Sequence, residues 1–148
     1  MQWSKLKARV KEFICPELKD RIDFHLTSYR KSHDGADKIW ITLDGEKVFT
    51  CNHYAYEFGE RELVGSEGKN LEGAKDFLNE NEIHKPKEFG DSMRNYLDMP
   101  IEEALQSANP FIKAFALIDR RTGNRTIEKL QISDSEHTLV KVFYNLRK

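Results

Sequence analysis

The stretch Asn109-Pro110-Phe111-Ile112-Lys113-Ala114-Phe115-Ala116-Leu117-Ile118-Asp119-Arg120-Arg121-Thr122-Gly123-Asn124-Arg125 decides how this chain is built. Asn109 can accept from the unpaired amides of a first helical turn and Pro110 suits the first helical position, so a helix starts here. From Phe111 to Ile118 only Lys113 is polar. A surface helix would alternate an apolar stripe with a solvated face, so this one is predicted to be buried nearly all round. Its far end turns abruptly polar. There Gly123 can take the left-handed conformation that stops a helix, and Asn124 can cap whatever follows.

Three arginines, Arg120, Arg121 and Arg125, with Lys129 just beyond, gather at the exit of this element. A guanidinium fork matches phosphate oxygens, which makes these residues a candidate anion or nucleic-acid site. The competing reading is structural, because cations in a last helical turn are favoured by the helix dipole, and helix-end arginines are the commoner case. Asp119 sits at the same negative end and is disfavoured there unless paired, so it is expected to pair with Arg121 or Arg125.

Upstream, Trp3, Leu6, Val10 and Phe13 recur at helical spacing and predict an amphipathic helix over residues 3–14, ending before Pro16. From Asp20 the period becomes two. Ile22, Phe24, Leu26 and Ser28 fall on one face of a strand, and Arg21, Asp23, His25, Thr27 and Tyr29 on the other. Asp34-Gly35 and Asp44-Gly45 are both signals for two-residue hairpin turns. Counting from them pairs Leu43 with Glu46, Ile41 with Val48, Trp40 with Phe49, Tyr29 with Trp40 and Leu26 with Leu43. One face then carries Leu26, Ile41, Leu43 and Val48, and the other a row of Tyr29, Trp40 and Phe49. Flanked by Arg30, Lys31, Lys38 and Lys47, that row is a candidate aromatic platform for nucleic-acid bases. The bland alternative is a set of cross-strand aromatics covered by helices that need a surface to pack on.

Between Asn52 and Gly73 the pattern weakens into a short helix or irregular strand and then a loop. Helices are expected over Leu71–Asn81, from Pro86 with Phe89, Met93, Tyr96 and Leu97 inward, and from Pro100 with Glu102 and Glu103 in a favourable first turn. Beyond the arginines, Ile127 and Leu130 suggest a short helix. Ser133-Asp134-Ser135-Glu136 has capping-box spacing ahead of a last helix with Leu139, Val140, Phe143 and Leu146 inward. The fold class is therefore α+β: an N-terminal helix, a three-stranded antiparallel meander, and a C-terminal helical half around a buried helix. No linker or repeat divides it, and a single domain over residues 1–148 is expected.

A hydrophobic content of 39% with 33% charged residues fits a globular protein with a heavily solvated exterior. No apolar run approaches the roughly 20 residues that span a bilayer, and no signal-peptide core follows Met1, so a cytoplasmic location is expected. The overall charge of −1 hides a pattern. Residues 1–33 hold 8 Lys/Arg and 4 Asp/Glu, residues 34–104 hold 8 and 17, and residues 105–148 hold 8 and 4, giving +4, −9 and +4. An acidic middle could dock internally or meet a basic partner, although solvated helix faces are the plainer account.

The common catalytic and nucleotide-binding motifs are missing from the sequence. Cys51-Asn52-His53, with His25 and His33, is the best metal candidate, but its spacing matches no standard zinc motif. His33-Asp34 could form an acid/base pair, yet Asp-Gly in a turn needs no catalytic explanation. Cys15 and Cys51 lack redox spacing and should be reduced thiols. His84 and His137 stand beside helix starts, as surface or capping residues. No metal and no cofactor is expected.

With Trp3-Ser4-Lys5-Leu6, Tyr29-Arg30-Lys31-Ser32-His33-Asp34-Gly35, Trp40-Ile41-Thr42-Leu43-Asp44-Gly45, Asn109-Pro110 running into Asp119–Arg125, and the Leu139–Arg147 ending in view, the chain resembles a family of small uncharacterised bacterial cytoplasmic proteins. The likeness is looser between Asn52 and Lys87. It brings no catalytic residues and implies a bacterial, single-domain origin. On charge and motif grounds the expected function is a non-enzymatic protein-binding module, of an immunity- or antitoxin-like kind, offering an acidic surface to a basic protein partner. The alternative is nucleic-acid binding through Arg120, Arg121, Arg125 and Lys129.

Overall fold

A computed structural model describes residues 2–28, 37–52 and 84–148. The Asp34-Gly35 turn, Tyr29, His33, His53, the weak stretch after Asn52 and the helix expected over Leu71–Asn81 lie outside the described residues. The elements are α1 (Trp3–Phe13), α2 (Pro16–Lys19), β1 (Ile22–Ser28), β2 (Asp37–Leu43), β3 (Glu46–Asn52), α3 (Pro86–Leu97), α4 (Ile101–Leu105), α5 (Pro110–Leu117), α6 (Asn124–Lys129) and α7 (Thr138–Arg147). Helices and a three-stranded antiparallel sheet in the order β1-β2-β3 make the fold α+β. Two compact units are present, Met1–Asp20 with Asp91–Lys148, and Arg21–Gly90.

In the helical unit α5 is the central element. Asn109 Oδ1 accepts from the amides of Phe111 and Ile112 at 2.9 and 3.2 Å, and Pro110 occupies the first turn. Phe111, Ile112, Ala114, Phe115, Ala116 and Leu117 are all buried, against α4 and α7 among others. Each large apolar side chain so buried contributes about 1.5–3 kcal/mol. Lys113, the one polar residue, reaches Glu136 at 2.6 Å.

This helix stops earlier than glycine placement predicts, and for a different reason. It ends at Leu117, so Arg120 and Arg121 lie beyond its last turn. Gly123 has φ −77° and is the N-cap of α6, while Asn124 is the first residue of that helix and not its cap. The terminator is a tertiary contact: Cys15 N donates to Ile118 O at 2.8 Å, Arg120 N donates to Phe13 O at 2.7 Å, and Ile14 pairs with Asp119 as an antiparallel bridge. Backbone groups of residues 118–120 are thus claimed by the end of α1 and cannot continue a helical ladder. The one-turn α2, with Pro16 in its first turn, was not anticipated from the sequence. The capping-box reading of Ser133 and Glu136 also fails. Those residues form a turn, and the cap of α7 is His137, whose Nδ1 accepts from Leu139 N at 3.0 Å.

In the other unit Asp44 and Gly45 have φ of 53° and 86°, the pair of positive values that a two-residue hairpin turn requires. Arg21 clasps the Asp44 carboxylate at 2.9 and 3.0 Å. Leu43 pairs with Glu46 and Thr42 with Lys47, as counted from the turn. The register then shifts by one residue, so that Ile41 faces Phe49, and Trp40 faces Thr50 in place of Phe49. Val48 is the extra residue of this bulge. Across the other seam Trp40 faces His25 and Leu26 faces Ile39, four residues from the register that a two-residue turn at Asp34-Gly35 would set. An even offset keeps every side chain on its expected face, whereas the odd slip at Val48 moves Phe49 to the opposite one. The buried face therefore carries Ile22, Phe24, Ile39, Ile41, Phe49 and Cys51, with Phe49 stacked on Phe89 at 5.8 Å.

Candidate functional site

The expected arginine cluster divides into two kinds of residue. Asp119 is fully buried and accepts from Arg121 Nε at 3.1 Å, from Arg121 Nη2 at 2.8 Å, and from the Arg121 backbone amide at 2.8 Å. The Tyr96 hydroxyl donates to the same carboxylate. Arg121 also lies over the Phe13 ring, 4.4 Å from its centroid. Hydrogen bonding to Asp119 holds the guanidinium more firmly protonated, and burial, reinforced by the Asp119 charge, pushes the Tyr96 phenol well above its ordinary range. Of the two arginines expected to neutralise Asp119, Arg121 does so and Arg125 does not.

Arg147, near the end of α7, binds the same corner from the other side. Its guanidinium donates to the carbonyls of Leu117, Asp119 and Thr122 at 2.8, 3.1 and 2.5 Å, and the Thr122 hydroxyl donates to Ala116 O at 2.7 Å. These bonds take up carbonyls left over where α5 ends. Sequence reasoning saw Arg147 only as a helix-end cation. Nothing in its spacing reports a partner 30 residues away.

Arg120, Arg125 and Lys129 are exposed and make no side-chain ion pair among the described residues. Arg125 and Lys129, four apart on α6, share one face of that helix. A groove of about 430 Å³ runs beside it, lined by Asn124, Ile127, Glu128, Tyr144, Arg147 and Lys148.

The aromatic platform is not formed as expected, because Trp40 and Phe49 lie on opposite faces of the sheet and Phe49 is buried. Trp40 instead stacks on His25 at 5.1 Å with 13° between the rings. The ammonium groups of Lys38 and Lys47 each lie 5.1 Å from its centroid. The lysines were legible only as flanking charges. Their convergence follows from the actual register.

Over residues 84–104 the acidic middle carries Glu88, Asp91, Asp98, Glu102 and Glu103, all exposed. Asp91 pairs with Arg94 at 3.0 Å, and Glu88 with His84 at 2.9 Å. Asp98, Glu102 and Glu103 make no ion pair among the described residues.

Among the described residues no group of three or more His, Cys, Asp or Glu is placed to hold a metal. Cys51 of the suggested metal set donates its thiol to His84 O at 2.7 Å, and burial raises its pKa well above the usual thiol range. Cys15 is also buried and free, with its thiol raised by burial. No helix among the described residues is long and apolar enough to cross a membrane.

What the fold and the site define is an α+β protein whose conspicuous arginine corner is partly an internal brace. Residues 2–148 match the SF0329 protein family, and the chain belongs to that family. No curated protein and no solved structure matched it.

Proposed function

We propose that this chain is a non-enzymatic protein-binding module, of the immunity- or antitoxin-like kind, which meets a basic partner protein in a bacterial cytoplasm. The observation that carries this reading is the trio Asp98, Glu102 and Glu103, three exposed carboxylates within six residues that no described side chain neutralises. They belong to the segment of net charge −9. An uncompensated acidic surface steers a positively charged partner and suppresses wrong ones, and the resulting association is sensitive to salt. The internal use of Arg121 supports the same reading, since it removes one cation from the competing nucleic-acid site.

The test is affinity capture from the source cell at low ionic strength, with the wild-type chain beside an Asp98→Lys, Glu102→Lys, Glu103→Lys variant. A basic protein retained by the wild type, released by salt and absent with the variant is the expected result. Recovery of no protein at low salt, or equal recovery with the variant, overturns it.

A second reading is favoured by the exposure of Arg120, Arg125 and Lys129, and is nucleic-acid binding through those three residues. Three phosphate contacts limit the salt slope to about −0.9 for each. Gel shifts with duplex and single-stranded probes at about 50 mM salt test it, and no shift there rejects it.

A further inference from the structure

The face of the sheet opposite Phe49 carries a cluster that neither reading above uses. Strand alternation and the observed pairing place His25 on β1, Lys38, Trp40 and Thr42 on β2, and Lys47 and Thr50 on β3 on that one face. His25, Trp40 and Thr50 stand in line across the three strands, and Lys47 pairs with Thr42. His25 Nε2 and Thr42 Oγ1 are bonded to each other at 2.9 Å.

Two features of the cluster exceed what packing on Trp40 requires. The first is that two cationic side chains are brought together over one ring, both 5.1 Å from its centroid. Burial, and then the neighbouring Lys47, push the Lys38 amine down to about 8, and burial lowers Lys47 as well. Lysines covering an apolar surface normally keep their heads in water and apart. The second is the Thr50 hydroxyl, which is buried and has no hydrogen-bond partner among the described residues, in a residue only 3% exposed. A buried hydroxyl without a partner is costly unless something completes it. Lys47 is half-buried and has no carboxylate within ion-pair distance among the described residues.

We propose that this face binds a phosphate group, held between the ammonium groups of Lys47 and Lys38 and the hydroxyl of Thr50. A phosphate dianion offers several acceptor oxygens and enough charge for two ammonium groups, and lysine binds it as a point charge without needing a fixed fork. The half-buried Lys47 and Trp40 form the open side of the cluster. Free phosphate and a phosphomonoester share this chemistry.

The chain has two tryptophans, Trp3 and Trp40. In full-length Trp3→Phe protein, emission therefore reports on Trp40 alone. Inorganic phosphate, titrated at constant ionic strength against sodium chloride, is expected to produce a saturable change in that emission. Lys47→Gln is expected to weaken binding by roughly ten-fold or more, the loss of one charge-assisted bond, while Lys47→Arg retains it. Thr50→Val keeps the shape and removes the hydroxyl, so it gives a second arm, expected to bind several-fold more weakly, should Lys47→Gln fail to fold. Glycerol phosphate titrated in parallel separates the sources: tighter binding than inorganic phosphate indicates a monoester, equal binding the free ion. No saturable response to either phosphate, or unchanged binding in folded Lys47→Gln or Thr50→Val, overturns the proposal.

Discussion

Two nitrogens of the Arg121 guanidinium are committed to Asp119, at 3.1 Å from Nε to Oδ1 and 2.8 Å from Nη2 to Oδ2, and the carboxylate they hold is wholly buried. Arg121 itself is partly exposed, but the carboxylate it neutralises is not, so removing the guanidinium leaves a buried charge uncompensated. Arg121→Met is therefore expected to lower unfolding stability by about 3–5 kcal/mol. Asp119→Asn keeps an acceptor for Tyr96 and is expected to lose less. The double variant should lose less than the sum of the two, since both act on one interaction. Urea unfolding of the four proteins measures this, and single variants within about 0.5 kcal/mol of wild type would show that the corner is not an internal brace.

Asn109 holds the start of α5 by two routes, accepting from Phe111 N and Ile112 N and donating from Nδ2 to Ser92 Oγ at 2.9 Å. Asn109→Ala loses both and is expected to cost about 1–2 kcal/mol. Asn109→Asp keeps the cap acceptor but has no amide to offer Ser92, so its stability should fall between the two. Thermal unfolding at neutral pH ranks the three, and an aspartate variant no better than alanine would contradict the capping role.

Val48 is the residue that turns Phe49 away from Trp40. Phe49→Ala is expected to lose about 3–5 kcal/mol as a core truncation, and half-buried Trp40→Ala less. Deleting Val48 makes Lys47 and Phe49 consecutive, so the bulge is removed while Phe49 keeps its place opposite Ile41 on the buried face, and the deletion should be less damaging than Phe49→Ala. Urea unfolding of the three variants ranks them, and a Val48 deletion as costly as Phe49→Ala would contradict this account of the bulge.

Lys38 should give the sheet a dependence on pH. Its amine falls to about 8 from the ordinary 10.5, chiefly because burial disfavours the charged form and then because Lys47 lies against it. Between these values the unfolded chain binds the proton and the folded chain does not, so stability rises with pH across that window. Its contribution is complete above the unfolded value and lost as pH falls through about 8. Wild type should therefore gain on Lys38→Met between about pH 7 and pH 10, whatever other groups do to both proteins alike. Melting temperatures at the two pH values provide the comparison. A constant difference would refute the shift.

Much of the fold was legible because it depends on neighbours in the chain. Asn109-Pro110 and the apolar run behind it specify a capped, buried helix through local geometry and hydrophobicity, and the Asp44-Gly45 turn follows from two positive φ values. The pairing of Asp119 could also be anticipated, since a carboxylate at a helix's negative end needs a cation. Other features depended on residues far apart in sequence. The end of α5 is decided by the backbone of Phe13 and Cys15, and the anchoring of its exit by Arg147. The face of Phe49 is decided by one extra residue in a strand. Hydrophobic period and capping chemistry act over a few residues and so are written in the chain itself. Which carbonyl an arginine finds, and where a strand slips, depend on how the packed interior satisfies its polar groups, and only the folded chain settles that.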